Sequence, residues 1–314
     1  MCSADIWAAF GEQWQGLVPE LEHVGLPAAG RRLGPDELAR IDIAAFSADL
    51  WHSGLAPAFF SICRQSTNLR WLHTFSAGTD DPVMADVHAR GVRVTHSAGA
   101  AARPLAHSVI LQVLALCRNA RPWALDQAAK RWDKRFHPDI EGRTMGIIGL
   151  GSIGAEVALI APAFGMRVIG MRRTPRGDEP CETWTIDRLH ELLPIVDDLV
   201  LTAPLNDDSH HLIGARELAL LKPGAHIVNI GRGAVIDEAA LVAALQSGQV
   251  GGAALDVFEV EPLPADSPLW EMDNVIITPH SAGNTDLAVA RTIELFTDNL
   301  ARFIAGEPLH NELT

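Results

Sequence analysis

Cysteine is scarce. The 314 residues hold four, Cys2, Cys63, Cys117 and Cys181, scattered without CxxC spacing or a paired framework, which excludes a disulfide scaffold and argues against a zinc site. Thiols so placed are those of a reduced, cytoplasmic protein. Long apolar runs are missing too: no stretch approaches the roughly 20 residues of a membrane span. The N-terminal MCSADIWAAFGEQ carries acids where a signal peptide needs a basic segment, so a soluble, unexported chain is expected. Basic residues are outnumbered, 25 Lys plus Arg against 39 Asp plus Glu, for a formal charge of −14. That balance opposes attraction to nucleic acid or anionic membranes, and an anionic substrate would need local cations to capture it. There is no internal repeat and no low-complexity tract.

What is present is core-forming material: nearly half the residues are apolar, and the length suits two domains. The first hundred residues hold short apolar runs at Ile41–Phe46, Leu69–Phe75 and Gly91–Thr95, separated by helical or Pro/Gly-rich stretches. The segment from Pro104 to Asn119 is apolar on most of its surface, as expected of a buried helix between two domains. From Arg143 the rhythm is regular: MGIIGLG, MRVIGM, DDLVLTAP, AHIVNIGRG, GGAALDV and NVIITPH are apolar runs ending in small or functional residues. Strands alternating with helices, apolar on both faces, predict a parallel, doubly wound α/β sheet. Leu287, Ala290, Ile293, Leu295, Phe296, Leu300 and Phe303 predict an amphipathic helix over 287–304 that returns to the first domain. The expected organisation is residues 105–284 as a doubly wound, Rossmann-type α/β domain, with residues 1–104 and 285–314 as a smaller flavodoxin-like α/β domain.

Gly149, Gly151 and Gly154, in GLGSIG, follow the strand Met145–Ile148 and open a helix. In that context the glycines permit the tight turn, the approach of a pyrophosphate and close helix–strand packing, while the helix N-terminus supplies N–H groups for the phosphates. The position about 20 residues on, where an acid would bind the ribose 2′-OH of NAD, reads Met171-Arg172-Arg173-Thr174, with no acid before Asp178. Two arginines and a threonine suit a 2′-phosphate. NADP is therefore the preferred cofactor and NAD the alternative.

Arg232, Glu261 and His280 each lie just beyond a predicted strand end, on one edge of the sheet. Hydride transfer to a ketone leaves negative charge on oxygen, so the reaction needs a proton donor and a cation beside it. Histidine and arginine fill those roles, and a carboxylate beside the imidazole favours its charged form and fixes which nitrogen faces the substrate. His210 and His211 adjoin Asp207 and Asp208, but neighbouring residues seldom converge on one ion, and no metal site is expected.

From NLRWLHTFSAGTD, GRTMGIIGLGSIG, LTAPLNDDSHHLIG, LKPGAHIVNIGRGAVIDEAAL, GGAALDVFEVEPLPADSPLW and NVIITPHSAG, spanning Leu69 to Ala282, the chain resembles the D-isomer-specific 2-hydroxyacid dehydrogenases. The resemblance implies that Arg232 binds the substrate carboxylate and carbonyl, that Glu261 and His280 are the acid/base pair, and that Ser76, Ala77 and Gly78 offer backbone N–H groups to the carboxylate. It places Asp256 near the nicotinamide and Thr202, Ala203 and Pro204 along the cofactor cleft, with Ser152, Ile153 and Ile230 in the same cofactor-binding set. Within the family the chain is most similar to glyoxylate/hydroxypyruvate reductases. The expected partner is a small 2-keto or 2-hydroxy acid, with no nucleic acid or membrane, in a homodimer whose domains close over substrate.

Two departures stand out. Family members open with a strand, whereas MCSADIWAAFGEQWQG reads as helical or irregular, and the linking helix has Ala106-His107-Ser108, where the family commonly has Ala-Glu. His107 is expected to be a structural histidine satisfied by hydrogen bonding, while Arg103 just upstream faces either cleft or solvent. Rival readings are a phosphoglycerate dehydrogenase-like enzyme, which often carries an added C-terminal domain, and an NAD(H)-sensing corepressor-like binding protein on the same fold.

Overall fold

The computed structural model describes residues 1–27, 31–79 and 81–313, and the chain divides into two compact units, residues 1–101 with 285–314 and residues 102–284.

The larger unit is built on seven parallel strands: β4 (Thr144–Ile148), β5 (Arg167–Met171), β6 (Glu182–Trp184), β7 (Asp198–Leu201), β8 (Ala225–Asn229), β9 (Val250–Leu255) and β10 (Val275–Ile277). Their order is β10-β9-β8-β7-β4-β5-β6, so the chain winds outward from β4 in both directions and the topological switch point lies between β4 and β7. Successive strand residues feed opposite faces. Ile147, Val200, Val228 and Ala254 pack with Val109, Val113 and Leu116 of the helix Ala102–Cys117. Their neighbours Ile148, Leu199, Leu201, Ile227 and Ala253 pack on the other face with Leu218, Leu241 and Leu245. Both faces are covered, which is why these strands read as continuous apolar runs, and each fully buried aliphatic side chain contributes about 2 kcal/mol. β6 is the exception: a short edge strand, Glu-Thr-Trp, without an apolar run to announce it.

The smaller unit has three parallel strands in the order β1 (Ile43–Phe46), β2 (Trp71–Thr74), β3 (Arg93–His96). Beyond β1, Met1 accepts from the Ala45 N–H at 2.9 Å, and Cys2 bridges Gly25 in parallel. The full sequence Gly25, Cys2, β1, β2, β3 is thus a flavodoxin-like order with its first two strands reduced to one bridged pair. The N-terminal segment is a helix, Ala4–Leu17, capped by Ser3, whose hydroxyl accepts from Ile6 N–H at 3.3 Å. Its Trp14 packs edge-on against Phe296 of the helix Asp286–Ala305, and Phe296 stacks on Trp71 of β2. The buried face of that last helix is Ala288, Thr292, Ile293, Phe296, Asn299 and Leu300; Leu287 and Ala290, expected on the apolar stripe, are exposed, and Ala288 and Thr292 take the inward positions of the first turns. His73, in β2, is a core residue: Thr95 and Ser97 hydroxyls meet its two ring nitrogens at 2.7 and 3.1 Å, and burial pushes its pKa down to about 3. No helix among the described residues is long and apolar enough to cross a membrane.

Candidate active site

The glycine turn after β4 is shaped by a close crossing. Gly149 has φ +97°, and a Cβ there would stand 2.5 Å from the Ala203 backbone nitrogen; no other residue fits. Thr202 locks the crossing by donating its hydroxyl to Gly149 O at 2.7 Å. At Gly151, the N-cap of the helix Ser152–Ile160, a Cβ would meet nothing within 4 Å, so the helix N-terminus with Ser152 and Ile153 opens onto free space, where its N–H groups suit a pyrophosphate. Gly154 lies against Gly149 O, and Ile230 is buried where β8 ends, its N–H bonded to Leu201 O at 3.2 Å. Pro204 is exposed just past β7. This part of the unit fits a dinucleotide.

At the end of β5 the arginines are engaged. Arg172 contacts Glu179 at 3.2 Å, and Arg173 pairs with Asp208 at 2.6 Å in the open. Thr174 is exposed.

Arg232, Glu261 and His280 come together within the larger unit. The turn carrying Arg232 is stapled by Asn229, buried at the end of β8: its side chain donates to Arg232 O at 3.0 Å and accepts from Gly231 N–H at 3.1 Å. Next to it, a Cβ on Gly233 would collide with the Phe258 carbonyl carbon at 1.9 Å, so only glycine lets this turn press against the 258–261 segment. Glu261 accepts from Phe258 N–H at 3.1 Å through Oε1 and meets His280 Nδ1 at 2.8 Å through Oε2. His280 Nε2 is left as the ring nitrogen pointing away from the carboxylate. The imidazole is 53% exposed and the carboxylate 37%, so a small molecule can reach both.

Charge in this group is mutually supporting. The Glu261 hydrogen bond raises the His280 pKa above its ordinary value, against burial and the nearby charge of Arg232. Burial alone would raise Glu261, but the bonds from His280 and Phe258 N–H, with the charges of His280 and Arg232, bring it below the usual carboxylate range. His280 holds φ +47°, an uncommon conformation outside glycine. It is fixed by Asp256: the backbone Asp256 O accepts from His280 N–H at 2.8 Å, while the buried carboxylate accepts from Thr278 Oγ1 at 2.5 Å, Ser281 N–H at 2.9 Å and Ala282 N–H at 3.1 Å. Asp256 therefore spends its oxygens on the loop that presents the histidine.

Elsewhere, Ser76 N–H is taken by Thr74 Oγ1 at 3.2 Å; for Ala77 and Gly78 no acceptor is found among the described residues. His107 is exposed on its helix with no hydrogen bond among the described residues, so it is not the satisfied histidine expected at that position. Arg103 reaches Glu156 at 3.7 Å, and His211 bonds Glu259 at 2.7 Å. Sequence reasoning missed Cys117, Asp198 and His226, clustered at the opposite edge of the sheet. Arg143 bonds both Asp198 oxygens, at 2.8 and 2.9 Å, making this a buried ion pair.

Residues 110–282 match the NAD-binding domain of the D-isomer specific 2-hydroxyacid dehydrogenases. The chain belongs to that family. Glyoxylate/hydroxypyruvate reductase B of Citrobacter koseri is 35% identical over 255 residues, covering 79% of this chain and 78% of that protein. Among solved structures, a D-isomer specific 2-hydroxyacid dehydrogenase from Xanthobacter autotrophicus Py2, in complex with NADPH and MES, superposes with a TM-score of 0.82 at 32% identity, covering 100% of this chain and 97% of that one. The D-lactate dehydrogenase of Aquifex aeolicus, complexed with NAD and lactic acid, gives 0.78 at 26% identity, covering 98% and 96%. The protein is accordingly an NAD(P)-dependent 2-hydroxyacid dehydrogenase.

Proposed function

We propose that the enzyme reduces a small 2-keto acid of the glyoxylate or hydroxypyruvate class to its D-2-hydroxy acid, with NADPH preferred over NADH. The carrying observation is the 2.8 Å bond between His280 Nδ1 and Glu261 Oε2 beside the charge of Arg232, and the likeness to a glyoxylate/hydroxypyruvate reductase supports the substrate class. When bound, the reduced nicotinamide supplies the hydride. Arg232 holds the substrate carboxylate and carbonyl oxygen, drawing charge toward that oxygen. His280, kept protonated by Glu261, gives its Nε2 proton to the developing alkoxide; in oxidation the same nitrogen takes the proton back. Gly149, Gly151 and the helix from Ser152 receive the cofactor's pyrophosphate. The end of β5, with Arg172 and Arg173, receives the adenosine ribose. Asp256, Thr202, Ala203, Pro204 and Ile230 shape the nicotinamide side.

Two copies pair in this reading. Trp132 is 92% exposed and Phe136 is fully exposed, on a segment without helix or strand. Exposed aromatic rings of this kind are frequent anchors of protein interfaces, and a two-fold contact would use the same surface on both copies.

The test is a panel of 2-keto acids of increasing side-chain size, each assayed with both nicotinamides by loss of reduced-cofactor absorbance. Turnover fastest with glyoxylate or hydroxypyruvate, and more efficient with NADPH, is expected. Preference for a bulky keto acid, or for NADH, would contradict it.

A further inference from the structure

Glu179 lies seven residues beyond Arg172, and its side chain is only 6% exposed. Three donors converge on its carboxylate: Arg172 Nη1 at 3.2 Å and Arg176 N–H at 2.5 Å on Oε1, and Gly177 N–H at 2.8 Å on Oε2. Gly177 has φ +89°, which lets two successive N–H groups turn toward one point, the geometry of an anion-binding nest. The Arg176 N–H bond, ahead of that from Gly177 and the charge of Arg172, keeps the Glu179 carboxyl below the ordinary carboxylate range despite its burial. A permanent negative charge therefore sits in a ready-made anion seat at the end of β5, where sequence alone shows only arginines and no acid at the usual position.

We infer that Glu179 is a cofactor-specificity residue, a built-in carboxylate that occupies the anion seat of the β5 loop, competes with the ribose 2′-phosphate for Arg172, and so narrows the preference for NADPH over NADH. The guanidinium that would read the phosphate is already in contact with the Glu179 carboxylate. Arg173, the other candidate reader, is paired with Asp208. A phosphate approaching Arg172 meets a like charge within one side chain's reach, which disfavours it, whereas a bare 2′-OH meets no such penalty. This inference rests on the reading that the end of β5 receives the adenosine ribose.

The test isolates the phosphate from turnover. Calorimetric affinities for adenosine 2′,5′-bisphosphate and for 5′-AMP are measured on the wild type, Glu179→Gln, Glu179→Ala, Glu179→Asp and Arg172→Gln, with thermal melting to confirm folding. Glu179→Gln removes the charge while keeping an acceptor, and should raise the ratio of bisphosphate to monophosphate affinity about fivefold. Glu179→Asp, which keeps the charge, should leave the ratio near that of the wild type, while Glu179→Ala, which removes the charge by a second route, should raise it as the glutamine variant does and keeps the test open if that variant fails to fold. Arg172→Gln should lower the ratio about tenfold. If Arg172→Gln lowers the ratio but Glu179→Gln leaves it unchanged or lowers it, Glu179 is no competitor and the inference fails alone. An Arg172→Gln ratio equal to that of the wild type would overturn the reading of the β5 end itself, and the inference with it.

Discussion

At the scale of single residues, the proposed chemistry depends on one carboxylate setting the charge of one imidazole. Glu261 raises the His280 pKa while its own is lowered. The sign follows for both activity and stability. A histidine with a raised pKa contributes stability that is full below its unfolded value and is lost as pH rises through the raised one; the glutamate's contribution is present above its unfolded value and lost as pH falls through the lowered one. The pair is intact between those limits, and reduction, which needs the charged imidazole, should fall as pH climbs through the raised histidine pKa. Glu261→Gln removes the cause: the alkaline limb of the reduction rate should move to lower pH, with a loss of roughly 10-fold to 100-fold near neutrality. A limb that stays in place would show that Glu261 does not set the charge of His280. Asp256 acts one step back. Asp256→Ala would leave Thr278 Oγ1 and the N–H groups of Ser281 and Ala282 without their acceptor, destabilising the fold by about 2 kcal/mol. It should also lower the turnover rate more than it weakens substrate binding, as measured by denaturant unfolding and steady-state kinetics.

At the scale of elements, the convergence of Arg232, Glu261 and His280 was legible because each follows an apolar strand: Arg232 after β8, Glu261 after β9 and His280 after β10. The glycine turn was legible for the same reason, since β4 and its helix frame it. What escaped was whatever carries no apolar pattern. β6 is three residues of edge strand whose polar face leaves no run to detect, and Glu179 finds its partners through the folding back of an irregular loop. The turn-holding bonds of Asn229 and Asp256 were hidden because a buried polar residue at a strand end carries no pattern that says which neighbouring turn it will staple. The bridged pair Cys2–Gly25 is too short to form a pattern. The ion pair of Arg143 and Asp198 joins the starts of β4 and β7, far apart in sequence. Because Asp198 is fully buried, Asp198→Ala leaves an uncompensated guanidinium and should cost about 3 kcal/mol of stability, seen as a shifted denaturant midpoint. A midpoint unchanged within error would mean that the pair is solvated.

At the scale of the whole molecule, a net charge of −14 sets the general field against anions, and the proposed mechanism answers it with local capture through Arg232. If the proposed pairing runs through Trp132 and Phe136, the parent chain should sediment as a dimer and a Trp132→Ser, Phe136→Ser double variant as a monomer at the same concentration; an unchanged sedimentation coefficient would place the contact elsewhere. The central claim is that His280 supplies the proton while the glycine turn supplies the cofactor seat, so the two functions should separate. The most direct measurement compares His280→Ala with the parent chain, following glyoxylate-dependent consumption of NADPH alongside NADPH affinity by fluorescence titration. Turnover should fall about 10²-fold or more, with affinity changed less than about twofold. Turnover that survives the substitution, or affinity that falls in step with it, would contradict the account.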